Sequence, residues 1–259
     1  MSGGAILDPN SLGRLRDLAP LSAVQFKELA AAISVREVEK HARICDPGHE
    51  REYAYILLSG SVACTCIDSR YRRRKLLKLI PPGVIPILPE RNSTIDLNLR
   101  YEAFTNCKIG QTDLEGFFRI ILGKGMSNYR HFLEIHLRHW LAVILRSSKS
   151  SLGMAIRERL GLALLELCSE FGIPDSRGML LRVSPSHEDL ADLVGTTRSK
   201  VTHALGDFER RGMITRLGRR IVVRVDRIEP SLRQQQPSPY YCGPVPRSGP
   251  TLRSLAANT

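Results

Sequence analysis

Between Ser186 and Val225 the spacing of hydrophobic positions changes period in an ordered way. Leu190, Leu193 and Val194 form one apolar stripe, the spacing of a helix face. Ser186, followed three residues later by Asp189, starts that helix: the hydroxyl and the carboxylate satisfy each other's orphan backbone N–H groups. Gly195 ends it, since glycine takes positive φ at no steric cost. Thr197 is placed to cap a second helix, in which Val201, Ala204, Leu205 and Phe208 recur at helical spacing and so face a core. The opposite face carries Arg198, Ser199, Thr202, His203 and Gly206. Two short β-type runs follow, Met213 to Leu217 and Ile221 to Val225, joined by a Gly218-Arg219-Arg220 turn. Helix, tight turn, helix and hairpin in this order predict a winged helix-turn-helix.

Upstream the texture differs. A helix carries Phe26, Leu29, Ala30 and Ile33 on one face. From Val35 to about Asp113 short alternating runs are broken by turn residues, the pattern of an all-β barrel or roll. Phe117 to Leu122 reads as a short helix, stopped at Gly123 and Gly125. From about Ser127 to Ser148 a long helix places Leu133, Leu137, Trp140 and Ile144 four and three residues apart, a heptad-like seam widened by Phe132, His136 and Val143. Such a seam packs on the roll or on a second copy. Ser147-Ser148-Lys149-Ser150-Ser151 with Gly153 reads as a hinge. A helix from Ala155 to Phe171 then buries Ile156, Leu160, Leu164, Leu167 and Phe171, and Met179 to Val183 is a strand able to pair with the wing.

The expected class is therefore α+β, divided into an N-terminal arm (1–20), a β-roll (21–125), a dimerisation helix with its hinge (126–152), the winged domain (153–229) and a tail (230–259). The tail is rich in Pro, Ser and Gly and buries too little apolar surface to offset ordering.

Charge narrows the function. The chain of 259 residues carries a formal charge of +12, which favours a polyanionic partner. Between Arg198 and Arg227 nine Lys/Arg face Asp207, Glu209 and Asp226, an excess of six. Beside a helix that fits a major groove, this is the footprint of a DNA reader. No apolar run reaches the length of a membrane span, and the first residues lack a secretory leader pattern, so a cytoplasmic protein without a membrane partner is expected. No phosphate loop, G-x-S-x-G elbow, HExxH or dinucleotide fingerprint is present, so no enzyme is expected and no catalytic residue is assigned.

The turn Ser59-Gly60-Ser61-Val62 after Tyr55 to Leu58, the run Lys75 to Gly83 and the recognition segment Gly195 to Val201 together resemble the cyclic AMP receptor protein and fumarate–nitrate regulator (CRP/FNR) family over roughly residues 20 to 228. The resemblance implies a cyclic-nucleotide-binding-like roll, a homodimer joined along Leu133, Leu137, Trp140 and Ile144, and a palindromic DNA operator. It also implies RNA polymerase as a further partner. Base contacts are expected from Arg198, Ser199, Thr202 and His203, and phosphate contacts from Thr197, Lys200, Arg216, Arg219 and Arg220.

The family pattern on the reading helix is Arg-Glu-x-x-x-Arg. Here it reads Arg198, Ser199 and His203, so only the first member is retained and a different half-site is expected. The family's nucleotide pocket has a Gly-Glu pair after the Pro-Gly turn, where this chain has Val84 and Ile85. Each departure removes a polar contact that cyclic AMP requires, and the small-molecule effector is left unassigned. The N-terminal cysteine cluster of the oxygen-sensing branch is absent, the first cysteine being Cys45.

Cys64 and Cys66 fall on one strand face, about 6.6 to 7 Å apart, at the far edge of disulfide reach. With Cys45, Cys107, His41 or His49 they form a thiolate or imidazole metal site, or they are core filler; no cofactor and no metal ligand are assigned. His136 and His139 leave the same choice. The run Arg70, Arg72, Arg73, Arg74 and Lys75 is either a solvated turn or a contact for bent DNA or an anionic signal such as a dinucleotide. The alternative to a plain DNA regulator is thus a regulator sensing a metal, haem or dinucleotide.

Arg198→Ala is expected to cost about 1 to 3 kcal/mol of discrimination at one base pair, read as relaxed preference there in a binding-site selection.

Overall fold

The computed structural model describes Leu18 and residues 21–45, 52–68, 73–87, 99–123, 126–151 and 153–233. Helix α1 (Ala23–Ala32) opens with a capping box in which Ser22 and Gln25 bond each other's backbone N–H. Seven strands follow: β1 (Ser34–Val38), β2 (Tyr53–Ser59), β3 (Val62–Asp68), β4 (Arg73–Ile80), β5 (Gly83–Val84), β6 (Leu99–Ala103) and β7 (Cys107–Asp113). They form two antiparallel sheets, ordered β1-β7-β2-β5 and β4-β3-β6. Val38, Ile44, Leu57, Val62, Ile80, Tyr101 and Ile109 fill the space between them. Gly60, in the Ser59 to Val62 turn, has φ 97°, and a Cβ there would stand 2.5 Å from the Asn106 carbonyl oxygen. Only glycine fits that turn.

Strand β3 pairs with β6 in unbroken register from Val62 to Cys66, so Cys64 and Cys66 keep the single face expected of them. Against β4 the register slips between Cys64 and Thr65, whose partners are Lys78 and Leu76. The extra residue is Leu77, so the bulge lies on β4.

Helix α2 (Leu114–Leu122), capped by Asp113, begins three residues earlier than the sequence suggests. Phe117 and Phe118 meet Phe132 edge to face at 5.7 and 5.9 Å, which anchors the start of the long helix α3 (Met126–Ser151). Helix α3 runs through the serines expected to form a hinge. Serine costs only a few tenths of a kcal/mol in a helix, and the break falls at the last residue of the expected hinge, Gly153, with φ 74°.

Two stripes of α3 are distinct. Phe132 is buried, and Trp140 packs against the core between the sheets. Leu133, Leu137, Leu141, Ile144 and Leu145 are 38 to 67% exposed. The expected seam mixed these stripes: at 3.6 residues per turn, Trp140 falls with Phe132 and His136 and faces its own roll, while Leu141 joins Leu133 and Leu137.

The C-terminal unit comprises α4 (Ile156–Phe171), β8 (Gly172–Asp175), β9 (Gly178–Leu181), α5 (His187–Val194), α6 (Arg198–Arg210), β10 (Ile214–Leu217), β11 (Arg220–Val223) and α7 (Val225–Arg233). Its sheet is ordered β10-β11-β9-β8. The expected strand Met179 to Val183 does pair with the wing, through Leu180 with Val222 and Met179 with Val223. Strand β8 escaped notice because three of its four residues, Gly172, Pro174 and Asp175, are types depleted in strands. The boundary expected at 229/230 falls inside α7: Ile228 is fully buried, and Ile228 and Leu232 lie against Gly161 of α4, where a Cβ would stand 3.1 Å from Leu232. Pro230 lies in this helix and so can give no backbone hydrogen bond there; burial of its apolar face offsets the loss. Among the described residues no helix is long and apolar enough to cross a membrane.

Ile228→Ala is expected to destabilise the protein by about 2 to 5 kcal/mol, the range for truncating a buried aliphatic side chain, as a lowered midpoint in urea unfolding.

Candidate nucleic-acid interface

The surface expected to meet DNA is built on α5, α6 and the wing. At the start of α5 the Ser186 hydroxyl accepts from Asp189 N at 3.1 Å, and the Asp189 carboxylate accepts from Ser186 N at 2.8 Å. At its end Gly195 is left-handed, with φ 66° and ψ 53°. Arg159 of α4 donates to the carbonyls of Val194 at 2.7 Å and Gly195 at 3.2 Å. That guanidinium ties down the helix-turn-helix corner from beneath. Nothing local in the sequence marks it, because its partners lie 35 residues away.

Thr197 occupies the cap position of α6 with extended backbone, but its side chain makes no capping bond. The cap read from the sequence is thus positional only. Helix α6 buries Val201, Ala204, Leu205 and Phe208, which leaves Arg198, Ser199, Lys200, Thr202 and His203 exposed together on the outside. The Thr202 hydroxyl donates to Arg198 O at 2.9 Å and stands 2.8 Å from His187 Nδ1. A hydroxyl has one proton to give, so His187 donates to it from Nδ1. His187, the first residue of α5, is held below the usual histidine range by burial first, then by Arg216 and Arg198. The sequence reading missed His187; its partner Thr202 lies 15 residues on, too far for a local pattern.

Acids sort the cations into two groups. Asp207, on the inner side of α6, is nearly buried and holds Arg157, Arg210 and Arg211 at 3.2, 3.3 and 3.2 Å. Glu209 accepts from Arg216 Nε at 2.9 Å and from the same guanidinium's Nη2. The bond to Arg216 holds the Glu209 carboxyl below its ordinary range. Arg216, expected at phosphate, is therefore committed to Glu209 in the free protein. Arg224 pairs with Asp226 at 3.0 Å. By contrast Arg198, Lys200, Arg219 and Arg220 are exposed and, among the described residues, have no ion-pair partner. Gly218, at φ 60°, turns the wing tip that carries Arg219.

The sensor side is less open. Val84, Ile85 and Pro86 are buried, and Tyr101 donates to the Pro86 carbonyl at 2.9 Å. Between roll and α3 a cavity of about 10 Å³ is lined by Cys64, Lys78, Ile80, Pro86, Tyr101, Trp140 and Val143, room for about one water. Burial pushes the Cys64 and Cys168 thiols up to about 12, the behaviour of packed thiols and not of nucleophiles. Among the described residues no three His, Cys, Asp or Glu side chains are grouped to hold a metal ion. His136 stacks on Phe132 at 4.0 Å; the side chain of His139 lies outside the described residues, as does His49.

Of the basic run, Arg70 and Arg72 fall outside the described residues. Arg73 starts β4, and Arg74 is paired with Glu102 at 3.0 Å.

Comparison with known proteins agrees with this architecture. The family model of the Crp-like helix-turn-helix domain matches residues 158–229. The global nitrogen regulator of Synechococcus elongatus is 26% identical over 207 residues, covering 76% of this chain and 90% of its own. Among solved structures, FixK2 from Bradyrhizobium japonicum superposes with a TM-score of 0.62 at 20% identity, over 76% of this chain and 96% of that one. The c-di-GMP-responsive global regulator CLP of Xanthomonas campestris gives 0.58 at 19% identity, over 78% and 99%. With the roll, the long helix and the cation-bearing reading helix in the same order, the chain has the fold of these regulators and carries a Crp-like helix-turn-helix domain over residues 158–229.

Proposed function

We propose that the chain acts as a homodimer that reads a palindromic operator in double-stranded DNA, in the cytoplasm and without catalytic activity of its own. The observation that carries this reading is the set of exposed cations Arg198, Lys200, Arg219 and Arg220 around α6 and the wing, without acidic partners among the described residues. Arg198 supplies a planar fork suited to guanine O6 and N7, and His203 donates to the next contacted base or a phosphate. Ser199 takes no part in a cytosine-selecting contact, which needs an acceptor-only side chain. The hydroxyl of Thr202 is engaged twice within the protein, so its methyl group is the part available to a thymine methyl. Thr197, Lys200, Arg219 and Arg220 serve phosphates and set register without reading sequence.

The dimer forms along Leu133, Leu137, Leu141, Ile144 and Leu145, whose exposure on one chain leaves an apolar stripe uncovered. A two-fold axis there matches operator palindromy. The buried Val84 and Ile85, where the resemblance requires a Gly-Glu pair, support a sensor that does not take cyclic AMP. RNA polymerase is a partner by family analogy alone.

Selection from random duplex DNA is expected to enrich two inverted half-sites about one helical turn apart, and a purified protein that enriches no sequence overturns the reading. Leu137→Asp with Leu141→Asp is expected to give monomers in sedimentation and to lose the palindrome. Glu209→Gln releases Arg216, so tighter phosphate binding is expected, with a salt slope steeper by about one counterion and an unchanged preferred sequence.

A further inference from the structure

Strand β4 belongs to the roll, yet it is packed as part of the winged domain. Leu76 and Leu79 share an apolar cluster with Leu160, Leu164 and Leu193, while Leu77 and Ile80 face the core between the two sheets. Polar contacts fix the same junction. Lys78, with a side chain only 7% exposed, places its ammonium 2.9 Å from Glu170 and 3.9 Å from Glu166, both on α4. The Leu76 N–H donates at 2.8 Å to the carboxylate of Asp192 on α5, 116 residues away. Strand β4 is an edge of its sheet, so an outward N–H here needs a partner from elsewhere, and the first helix of the helix-turn-helix provides it. Lys78 also lines the small cavity against Trp140 and Val143 of α3. One side chain therefore pairs with the helix on which the reading head is built and borders a cavity that also reaches the helix carrying the exposed apolar stripe.

We propose that Lys78 and Asp192 are positioning residues for DNA binding: through β4 they lock the orientation of the winged domain on the roll. The inference rests on the reading of the chain as a DNA-binding dimer. The lock does not occlude the reading face, because Arg198, Ser199, Lys200, Thr202 and His203 stay exposed while it is closed. It therefore preorganises the two heads of a dimer. A head released from the roll still binds one half-site but loses the fixed spacing that lets the second head bind at high effective concentration.

The test compares Lys78→Gln, Glu170→Gln, their combination and Asp192→Ala in the full-length dimer, using the selected palindromic duplex and a duplex with one half-site. The preference for the palindrome over the half-site is expected to fall by about tenfold or more in each variant, with half-site affinity unchanged, and by no more in the double variant than in either single one. An unchanged preference overturns the proposal, as does equal loss on both duplexes, which marks damage to the head itself. Hydrogen exchange gives a readout that does not depend on DNA. Lys78→Gln is expected to accelerate exchange of the Leu76 amide, whose acceptor is on another residue, together with the α5 segment. Continued protection of Leu76 in Lys78→Gln overturns the lock whether or not a palindrome was enriched. Should Lys78→Gln fail to fold, Glu170→Gln carries the same readouts.

Discussion

Burial of Leu76 and Leu79 in one apolar cluster with the helices of the winged domain is the contact on which the arrangement of this molecule depends. A three-stranded sheet with β4 at its edge offers one face to the core between the sheets and leaves the other face to be covered. Here α4 and α5 provide the cover, so roll and reading head share a hydrophobic core. Burying the ammonium of Lys78 within this contact requires the two α4 carboxylates, since an unpaired charge in that setting costs several kcal/mol. Asp192 completes the junction by satisfying a backbone N–H at the sheet edge.

Within the winged domain the same rule operates on charge. Asp207 sits on the inner side of α6 and gathers Arg157, Arg210 and Arg211, which join α6 to α4 and close its last turn. Glu209 takes Arg216, and Asp226 takes Arg224. The acids thus hold the cations that shape the domain and leave Arg198, Lys200, Arg219 and Arg220 to the outside. The positive excess read from the sequence is real, but about half of those cations have structural partners.

Much of the architecture was legible because local chemistry enforces it. The Ser186–Asp189 box, the Gly195 corner and the apolar stripe Val201, Ala204, Leu205 and Phe208 involve neighbours within one or two helical turns, where spacing translates directly into geometry. The turn at Gly60 was legible for a related reason: only glycine tolerates that backbone against Asn106. The errors arose where distant residues decide. Trp140 was placed on the outer seam because two apolar stripes run side by side on α3, and only the roll beside it shows which stripe is covered. The hinge was begun on serines that the helix simply absorbs before it breaks at Gly153, and the tail was begun at a proline that packing against Gly161 carries into α7.

The sequence by itself determined the order of elements, the identity of the reading helix and the substitutions at Ser199, His203, Val84 and Ile85 that separate this chain from the family pattern. Those features are local or positional, fixed by helix period, backbone sterics and side-chain chemistry. The tertiary structure alone decided which arginines are neutralised, that His187 engages Thr202, that Arg159 pins the corner and that β4 joins the roll to the head. Each of these depends on residues that spacing along the chain cannot bring together: 15 positions apart for His187 and Thr202, 35 for Arg159 and Val194, and 116 for Leu76 and Asp192. Long-range pairing follows from how folded surfaces fit, and no local period records it.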